Sequence, residues 1–203
     1  MELFKAINTR KSIRKFKKKP VEKQKIKKII SAATKAPNSE NRQPWKFVVV
    51  KNKEKRKKIA EISIIGGAER YTAIKDDLNK KFRKIPKKKR KELIERFTSG
   101  KLFHFLYQSP VQIVVLADNN IIYAVHSCSA AIENLSLAAH GIGLGSCWTM
   151  IGCINPENEK KIRKIIDYPG KNWEITGIMA VGYPDQDPKL RKRKPIEEVI
   201  DWQ

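Results

Sequence analysis

The amino-acid sequence predicts an α+β fold in which helices flank one mixed sheet. Short apolar segments typical of buried strands are separated by longer amphipathic segments typical of helices. These strands do not recur with the regular strand–helix–strand spacing of a doubly wound parallel sheet, which is therefore the weaker alternative. The chain has 203 residues, enough for one domain with a single core.

Four segments have the length and composition of core strands. They are residues 46–50, 111–118, 145–152 and 175–184. The first two are continuous apolar runs rich in β-branched residues. We therefore expect both of them to be buried on both faces.

Apolar residues at helical spacing predict helices between the strands. The predicted helices are a short one around residues 3–7 and longer ones at 21–35, 121–140 and 156–166, followed by a short amphipathic one at 196–202. The helix at 121–140 has few charges and is apolar on more than one side. We expect it to be central or to lie in a subunit interface.

A charged helical region lies between the first two strands. Residues 53–105 are rich in Lys and Arg, with interruptions expected at Gly66–Gly67 and at Pro86. We place a peripheral helical insertion at about residues 54–108 of a single domain that spans residues 1–203.

The composition indicates a globular protein. Hydrophobic residues make up 40% of the chain and charged residues 32%, and the longest apolar runs are too short to cross a bilayer. The segment MELFKAINTRKS has an acidic second residue and no apolar core, unlike a secretory signal, which favours the cytoplasm. Three cysteines without a CxxC pair predict reduced thiols, no disulfide framework and no metal site.

The net charge of +23 raises the possibility of a nucleic-acid partner. However, the lysines occur throughout the chain instead of forming one stripe. In the helix at 21–35 they lie mostly off the apolar face that contains Ile26 and Ile29, as in a solvated surface. The four tryptophans lie in apolar contexts instead of alternating with basic residues, so we expect no specific nucleic-acid partner.

The loop between Pro37 and Pro44 has more hydrogen-bonding side chains than a turn needs. Asn38, Asn41 and Gln43 each carry a donor and an acceptor, which suits a planar heterocycle edged with carbonyls and ring nitrogens. A capped, solvated connection is the alternative from this segment alone.

The segment HGIGLGS follows a predicted helix and precedes a strand, the reverse of the order in a dinucleotide-binding loop. We expect Gly141 to be the left-handed cap of the long helix. Gly143 and Gly145 would let a ligand ring approach the main-chain amides of residues 146–148.

Two clusters of cations lie near opposite ends of the chain, RKSIR at 10–14 and RKR at 191–193. Each is typical of a solvated segment. If the fold brings the two clusters together, they can bind one phosphate. The sequence contains no recognisable set of catalytic side chains, so a cofactor would carry the chemistry of an enzyme built on it.

Four motifs in order resemble the flavin-dependent nitroreductase family. They are R-x-S-x-R at 10–14, AP-N-S-x-N-x-QPW-x-F at 36–47, GIGLGSCW at 141–148, and GYP at 182–184 followed by R-x-R-x-P at 191–195. The resemblance covers nearly the whole chain except about residues 54–108.

The resemblance implies a homodimer with two FMN molecules at the subunit interface. NADH or NADPH would reduce the FMN, which would then reduce a nitroaromatic, a quinone or a related acceptor at the same site. The implied FMN-binding residues are Arg10, Lys11, Ser12 and Arg14; Pro37, Asn38, Ser39 and Asn41, supplied by the partner subunit; Ser146, Cys147, Trp148 and Thr149; and Arg191 and Arg193.

The resemblance also suggests individual roles. Arg14 would lie near N1 and O2 of the flavin, and residues 146–149 would lie over the ring near N5. Trp148 stands where one branch of the family carries a glutamate, so nicotinamide preference and substrate range do not transfer. A dehalogenase or a flavin-destroying enzyme of the same fold is the alternative, and a nucleic-acid-binding protein is a more distant one.

Overall fold

The computed structural model describes residues 1–168 and 170–203 and confirms the predicted α+β architecture. The strands are β1 (Trp45–Val50), β2 (Val111–Asp118), β3 (Gly145–Thr149) and β4 (Trp173–Gly182), in the order β1-β2-β4-β3. All three pairings between these strands are antiparallel. The four-stranded sheet is therefore antiparallel instead of mixed, and a parallel bridge between Ser12 and Ser146 lies beside β3.

Helices cover both faces of the sheet. They are α1 (Leu3–Thr9), α2 (Lys23–Ala33), α3 (Lys53–Ala73), α4 (Lys75–Lys81), α5 (Lys87–Thr98), α6 (Phe105–Gln108), α7 (Ala124–Gly141) and α8 (Pro156–Ile165). Short 3₁₀ turns occur at Ser39–Asn41, Lys101–Phe103, Ile151–Cys153 and Ile196–Glu198. Among the helices of the described chain, none is both long enough and apolar enough to span a bilayer.

The sheet separates two hydrophobic cores. Ile132 and Leu135 of α7 are fully buried in one core with alternate residues of β2, and α2 packs into the same core. Ile59 of α3 and Ile162 of α8 are fully buried in the other. The predicted central position of the long helix is therefore confirmed, and the first half of α3 belongs to the core instead of a peripheral insertion.

The two strands expected to be buried on both faces differ. β2 is central, and its residues from Val111 to Ala117 are all buried, as predicted. The prediction is wrong for β1, in which Val49 is exposed. The reason is the strand order, because within residues 1–168 and 170–203 β1 is an edge strand that pairs with β2 alone.

The expected interruption at Gly66–Gly67 is also wrong, because α3 continues through both residues. A Cβ atom on Gly66 would lie 2.5 Å from the carbonyl oxygen of Ile151, and one on Gly67 would lie 2.4 Å from the ring of Phe103. The glycines therefore permit close packing instead of ending the helix. Pro86 does precede a new helix, α5, as predicted.

Three predictions, one about the end of α7 and two about the C-terminal tail, are corrected. Gly141 is the last residue of α7. The left-handed residue is instead Gly143 (φ 79°), which lies in the turn where the amide of Leu144 donates to the carbonyl of Ala139. The amphipathic helix expected at 196–202 is only a 3₁₀ turn, since every residue from 191 to 203 is exposed and gives it no core contact. Trp202 is 88% exposed, so its predicted apolar context is wrong as well.

The N-terminal basic segment is held in place by main-chain hydrogen bonds on two sides. The amide of Ile13 donates to the carbonyl of Ser146 at 2.9 Å. The amide of Lys17 donates to Tyr183, and the amide of Asp185 donates to Lys15, both also at 2.9 Å. The segment thus lies between β3 and the chain that follows β4.

Gly145 makes this arrangement possible, and its substitution tests it. A Cβ atom at Gly145 would lie 2.7 Å from Cγ1 of Ile13, whose branched side chain has little room to move. We expect Gly145→Ala to lower the free energy of unfolding by about 1–3 kcal/mol, measured by urea denaturation.

Gly141→Ala is the matched control, because nothing lies within 4 Å of the added methyl group at the end of α7. That variant should be neutral or up to about 1 kcal/mol more stable. Equal destabilisation by the two substitutions would contradict the packing argument.

Candidate functional site

A cavity of about 990 Å³ lies between the N-terminal segment, α7 and the chain that follows β4. We call it the cationic cavity because basic residues from both ends of the chain line it. The sequence-predicted residues that line it are Arg10, Lys11, Ser12, Arg14, Arg191 and Arg193. The fold therefore brings the two cation clusters together, the condition on which joint phosphate binding depends.

Two cations of the cavity have acidic partners that the sequence analysis did not identify. Nε of Arg10 lies 3.4 Å from a carboxylate oxygen of Glu133, which lines the cavity, and Lys11 pairs with the exposed Asp187. Ion pairs of this exposure contribute about 0–1 kcal/mol each. Glu133 is the single acidic residue of α7. An isolated charge in an otherwise apolar helix is the feature of the sequence that indicates a partner for it.

The remaining cations of the cavity have no acidic partner among the described residues. Within the described chain, no carboxylate lies within 4.0 Å of the side-chain nitrogens of Arg14, Arg191 or Arg193. A concave surface with this excess of one charge raises the local concentration of anions. The cavity is therefore suited to a small anionic ligand.

His140, at the C-terminal end of α7, lies behind this surface. Oγ1 of Thr9 donates to the carbonyl of Lys5 at 2.6 Å, so Nε2 of His140, 2.8 Å away, is assigned as the donor to the same hydroxyl. Burial lowers the pKa of His140, and the neighbouring charges of Arg10 and Lys11 lower it further. The imidazole is therefore neutral near pH 7 and links α7 to α1 without adding positive charge.

Ser146 and Cys147 are buried in β3, and Trp148 is half-exposed. The indole of Trp148 donates from Nε1 to the carbonyl of Thr176 at 3.2 Å and lies against Gly177, where a Cβ atom would approach Nε1 to 2.6 Å. Thr149 accepts a hydrogen bond from the amide of Ile151 and lines a smaller, mostly apolar cavity of about 380 Å³. β3 therefore runs from the Ser12 bridge near the cationic cavity to this apolar cavity.

Cys147 is suited to packing instead of nucleophilic chemistry. Burial raises the pKa of the Cys147 thiol, although the nearby charge of Arg14 lowers it in part. Burial also raises the pKa of Cys128 to about 12. These thiols are protonated at neutral pH, and the thiolate is the reactive form of cysteine.

The predicted residues of the loop at 37–41 do not line the cationic cavity of their own subunit. Oδ1 of Asn38 accepts a hydrogen bond from the amide of Gln43 at 2.7 Å. Glu40, Asn41 and Gln43 all have left-handed backbone angles, with φ of 50°, 53° and 47°. Such conformations cost free energy and are common at ligand-binding sites.

Most of the chain is similar to known proteins. The model of the nitroreductase family matches residues 7–183. A candidate NADH dehydrogenase/NAD(P)H nitroreductase of Archaeoglobus fulgidus is 30% identical over 191 residues, 92% of this chain and 87% of the relative. An iodotyrosine deiodinase of Thermotoga neapolitana is 28% identical over 98% of this chain and 95% of its own length.

A solved structure extends the comparison to three dimensions. An FMN-dependent nitroreductase of Clostridium difficile R20291 has a TM-score of 0.70 and 27% identity, covering 94% of this chain and 92% of that protein. The similarity therefore includes the sheet and both helical layers.

The neutral state of His140 predicts a pH dependence of stability. Because the pKa of His140 is lowered in the folded protein, the unfolded chain binds a proton at higher pH than the folded one does. The free energy of unfolding should therefore fall as pH drops below about 6.5, the ordinary histidine pKa. In His140→Gln this fall should be smaller, which urea denaturation at about pH 7.5 and about pH 5.5 would measure. An unchanged pH dependence in the variant would contradict the assignment.

Proposed function

Because the chain belongs to the nitroreductase family, we propose that it is an FMN-dependent oxidoreductase that uses NADH or NADPH to reduce nitroaromatics, quinones or related acceptors. The observation that carries the proposal is the convergence of Arg10, Arg191 and Arg193, from opposite ends of the chain, on one cavity. FMN, when bound, supplies the redox chemistry. A cytoplasmic location, where NADH and NADPH are available, fits this activity.

The cationic cavity fits FMN in size and in charge. Its volume of about 990 Å³ is at the upper end of the range for small-molecule sites. Arg10, Arg191 and Arg193 would hold the phosphate, to which Ser12 would donate a hydroxyl hydrogen bond. The main chain of β3 at residues 146–149 would support the flavin ring.

Arg14 would adjust the electronic properties of the flavin. Its guanidinium lies 5.9 Å from the centre of the Phe105 ring, and it lines the cavity without an acidic partner among the described residues. A fixed positive charge of this kind favours negative charge on a bound ring and raises its reduction potential. Arg14 is thus a binding residue that assists the cofactor.

A homodimer would complete the site. Leu3, Phe4 and Ile7 of α1 are exposed, as are several apolar residues of the tail at 190–202. Exposed apolar surfaces of this kind are typical of protein interfaces. A partner subunit would cover them and would bring Asn38, Ser39 and Asn41 of its strained loop to the flavin.

Reductive dehalogenation is the second candidate activity. It is favoured by the similarity to the iodotyrosine deiodinase of Thermotoga neapolitana, which extends over nearly the whole chain. Anaerobic assays of the reduced protein with nitrobenzene and with 3-iodotyrosine would separate the two activities. Rapid reoxidation by one compound alone would identify the acceptor class.

The phosphate of FMN provides a test of the site, because riboflavin lacks it. A hydrogen bond to a charged group contributes about 1.5–3 kcal/mol, so Arg191→Ala/Arg193→Ala should weaken FMN binding about a hundredfold or more. Riboflavin binding should hardly change. Calorimetric titration of each protein with both ligands makes the comparison.

Lys192→Ala/Lys194→Ala is the matched control, since it removes the same charge from the same segment but neither lysine lines the cavity. It should retain FMN binding. Equal losses of FMN and riboflavin in the arginine variant would indicate damage to the fold, and no loss of either would place the phosphate elsewhere.

Subunit complementation tests the shared site. One subunit would carry Arg191→Ala/Arg193→Ala and the other Asn38→Ala/Asn41→Ala, and each homodimer should bind FMN poorly. In the mixed dimer, the intact arginines of one subunit meet the intact loop of the other, so one of its two sites should regain FMN binding and activity.

The mixed dimer is isolated with two different affinity tags and compared with both parents. If each site used residues of a single subunit, mixing would restore nothing. Light scattering that shows a folded monomer with full flavin content would also exclude a shared site.

A further inference from the structure

A second basic depression lies apart from the cationic cavity, at the end of the sheet where β1 ends and β2 begins. Its volume is about 370 Å³. We call it the lysine pocket, and its basic and aromatic lining residues are Lys17, Lys18, Lys19, Lys51, Arg56 and Tyr107. None of these residues has a part in the proposed flavin site.

The main chain around the lysine pocket is held by side-chain hydrogen bonds of Gln112 and Arg56. Nε2 of the fully buried Gln112 donates to the carbonyl of Arg56 at 3.2 Å and to that of Leu106 at 3.0 Å. The guanidinium of Arg56 donates to the carbonyl of Ser109 and, at 3.3 Å, to that of Lys51. The segments at 51–56 and 106–110 are therefore fixed relative to each other before any ligand binds.

The third wall is the segment at 17–21. The amide of Lys17 donates to the carbonyl of Tyr183, and Nζ of Lys19 lies 4.3 Å from the centre of the Tyr183 ring. The side chains of Lys17, Lys18 and Lys51 are exposed and can turn toward a ligand. The pocket thus combines a fixed main chain with lysine side chains that can move.

The charges of the lysine pocket are not balanced by acidic side chains. Across residues 1–168 and 170–203, its five cations form no ion pair with a carboxylate within 4.0 Å. Glu22 lies near Lys19 and Glu61 lies near Tyr107, and Glu22 accepts hydrogen bonds from Tyr183. Burial lowers the pKa of Arg56, which shows that its charge is partly removed from water. An anion bound in the pocket would compensate this positive charge.

We propose that the lysine pocket binds a phosphate-bearing small molecule with at least two negative charges. The pocket is concave and of limited volume, so a compact anion can contact several of its cations at once. A nucleic-acid strand would instead need a continuous groove with several aromatic side chains on which bases stack. Tyr107 is the single aromatic residue of the lining.

Calorimetric titration of the FMN-loaded protein with pyrophosphate tests this site in a buffer without phosphate. FMN occupies the cationic cavity in this experiment. Lys17→Gln/Lys51→Gln removes two exposed side chains and leaves the main-chain bonds in place, and it should raise the Kd for pyrophosphate about tenfold or more.

Lys80→Gln/Lys84→Gln removes the same charge from exposed positions in and beside α4, outside the pocket. It should leave the Kd unchanged. An equal loss in this control, or no binding of pyrophosphate by the FMN-loaded wild type, would overturn the proposal.

The Arg191→Ala/Arg193→Ala protein separates this site from the flavin site. Because this variant binds FMN weakly, it is titrated with enough FMN to fill its cationic cavity. Its pyrophosphate binding should then equal that of the FMN-loaded wild type, because neither arginine lines the lysine pocket. Loss of pyrophosphate binding in that variant would assign the anion to the cationic cavity and overturn the proposal, whether or not FMN is the cofactor.

Two further ligands identify the class of molecule. If ADP binds more tightly than pyrophosphate and Tyr107→Leu weakens ADP binding, the ligand is a nucleotide. If ADP and pyrophosphate bind equally well, the pocket recognises the phosphates alone. Binding of a short single-stranded oligonucleotide without binding of pyrophosphate would overturn the small-molecule site in favour of a polyanion surface.

Discussion

The pairing of residues 12–17 with two separate parts of the chain is the interaction on which the proposed site depends. On one side, Ser12 and Ile13 bond the edge of β3 at Ser146, and on the other side Lys15 and Lys17 bond residues 183–185. These main-chain bonds bring the N-terminal cations beside the segment that leads to Arg191 and Arg193. The absence of a side chain at Gly145 is part of the same constraint, since Ile13 occupies the space that a Cβ atom would need.

Positive charge is used differently in the two basic depressions. In the cationic cavity, Glu133 and Asp187 compensate Arg10 and Lys11 in part, which lowers the electrostatic cost of the site before a ligand binds. In the lysine pocket, two carbonyl groups accept hydrogen bonds from Arg56, but no carboxylate of the described residues pairs with its charge. Most other lysines are exposed and increase the net charge of +23 without forming a site.

In the proposed function, the side chains around the site would bind a cofactor and adjust its properties, and none of them would carry out the reaction itself. Cys147 is kept neutral by burial, His140 is kept neutral by burial and by its cationic neighbours, and Trp148 is held against β4 by a hydrogen bond. If the cofactor carries the reaction and the protein only binds it, one fold can support different activities. The proteins that are similar to nearly the whole chain do include both a nitroreductase and an iodotyrosine deiodinase. Under this proposal the surroundings of the cofactor would select the acceptor, and anion binding by the chain ends would be common to both activities.

The sequence by itself determined the local elements and the residue types of the candidate site. Apolar spacing located β2, β4 and α7, and the motifs at 10–14 and 191–195 identified cations suited to one phosphate. These features depend on neighbours along the chain, which periodicity and motif spacing record. Tertiary structure alone decided that β1 is an edge strand, that Gly66 and Gly67 pack against Ile151 and Phe103, and that the tail has no core to fold against. It also decided that Glu133 faces Arg10 and that Lys17, Lys51 and Arg56 share a pocket, because burial and charge pairing depend on which distant segments the strand order brings together.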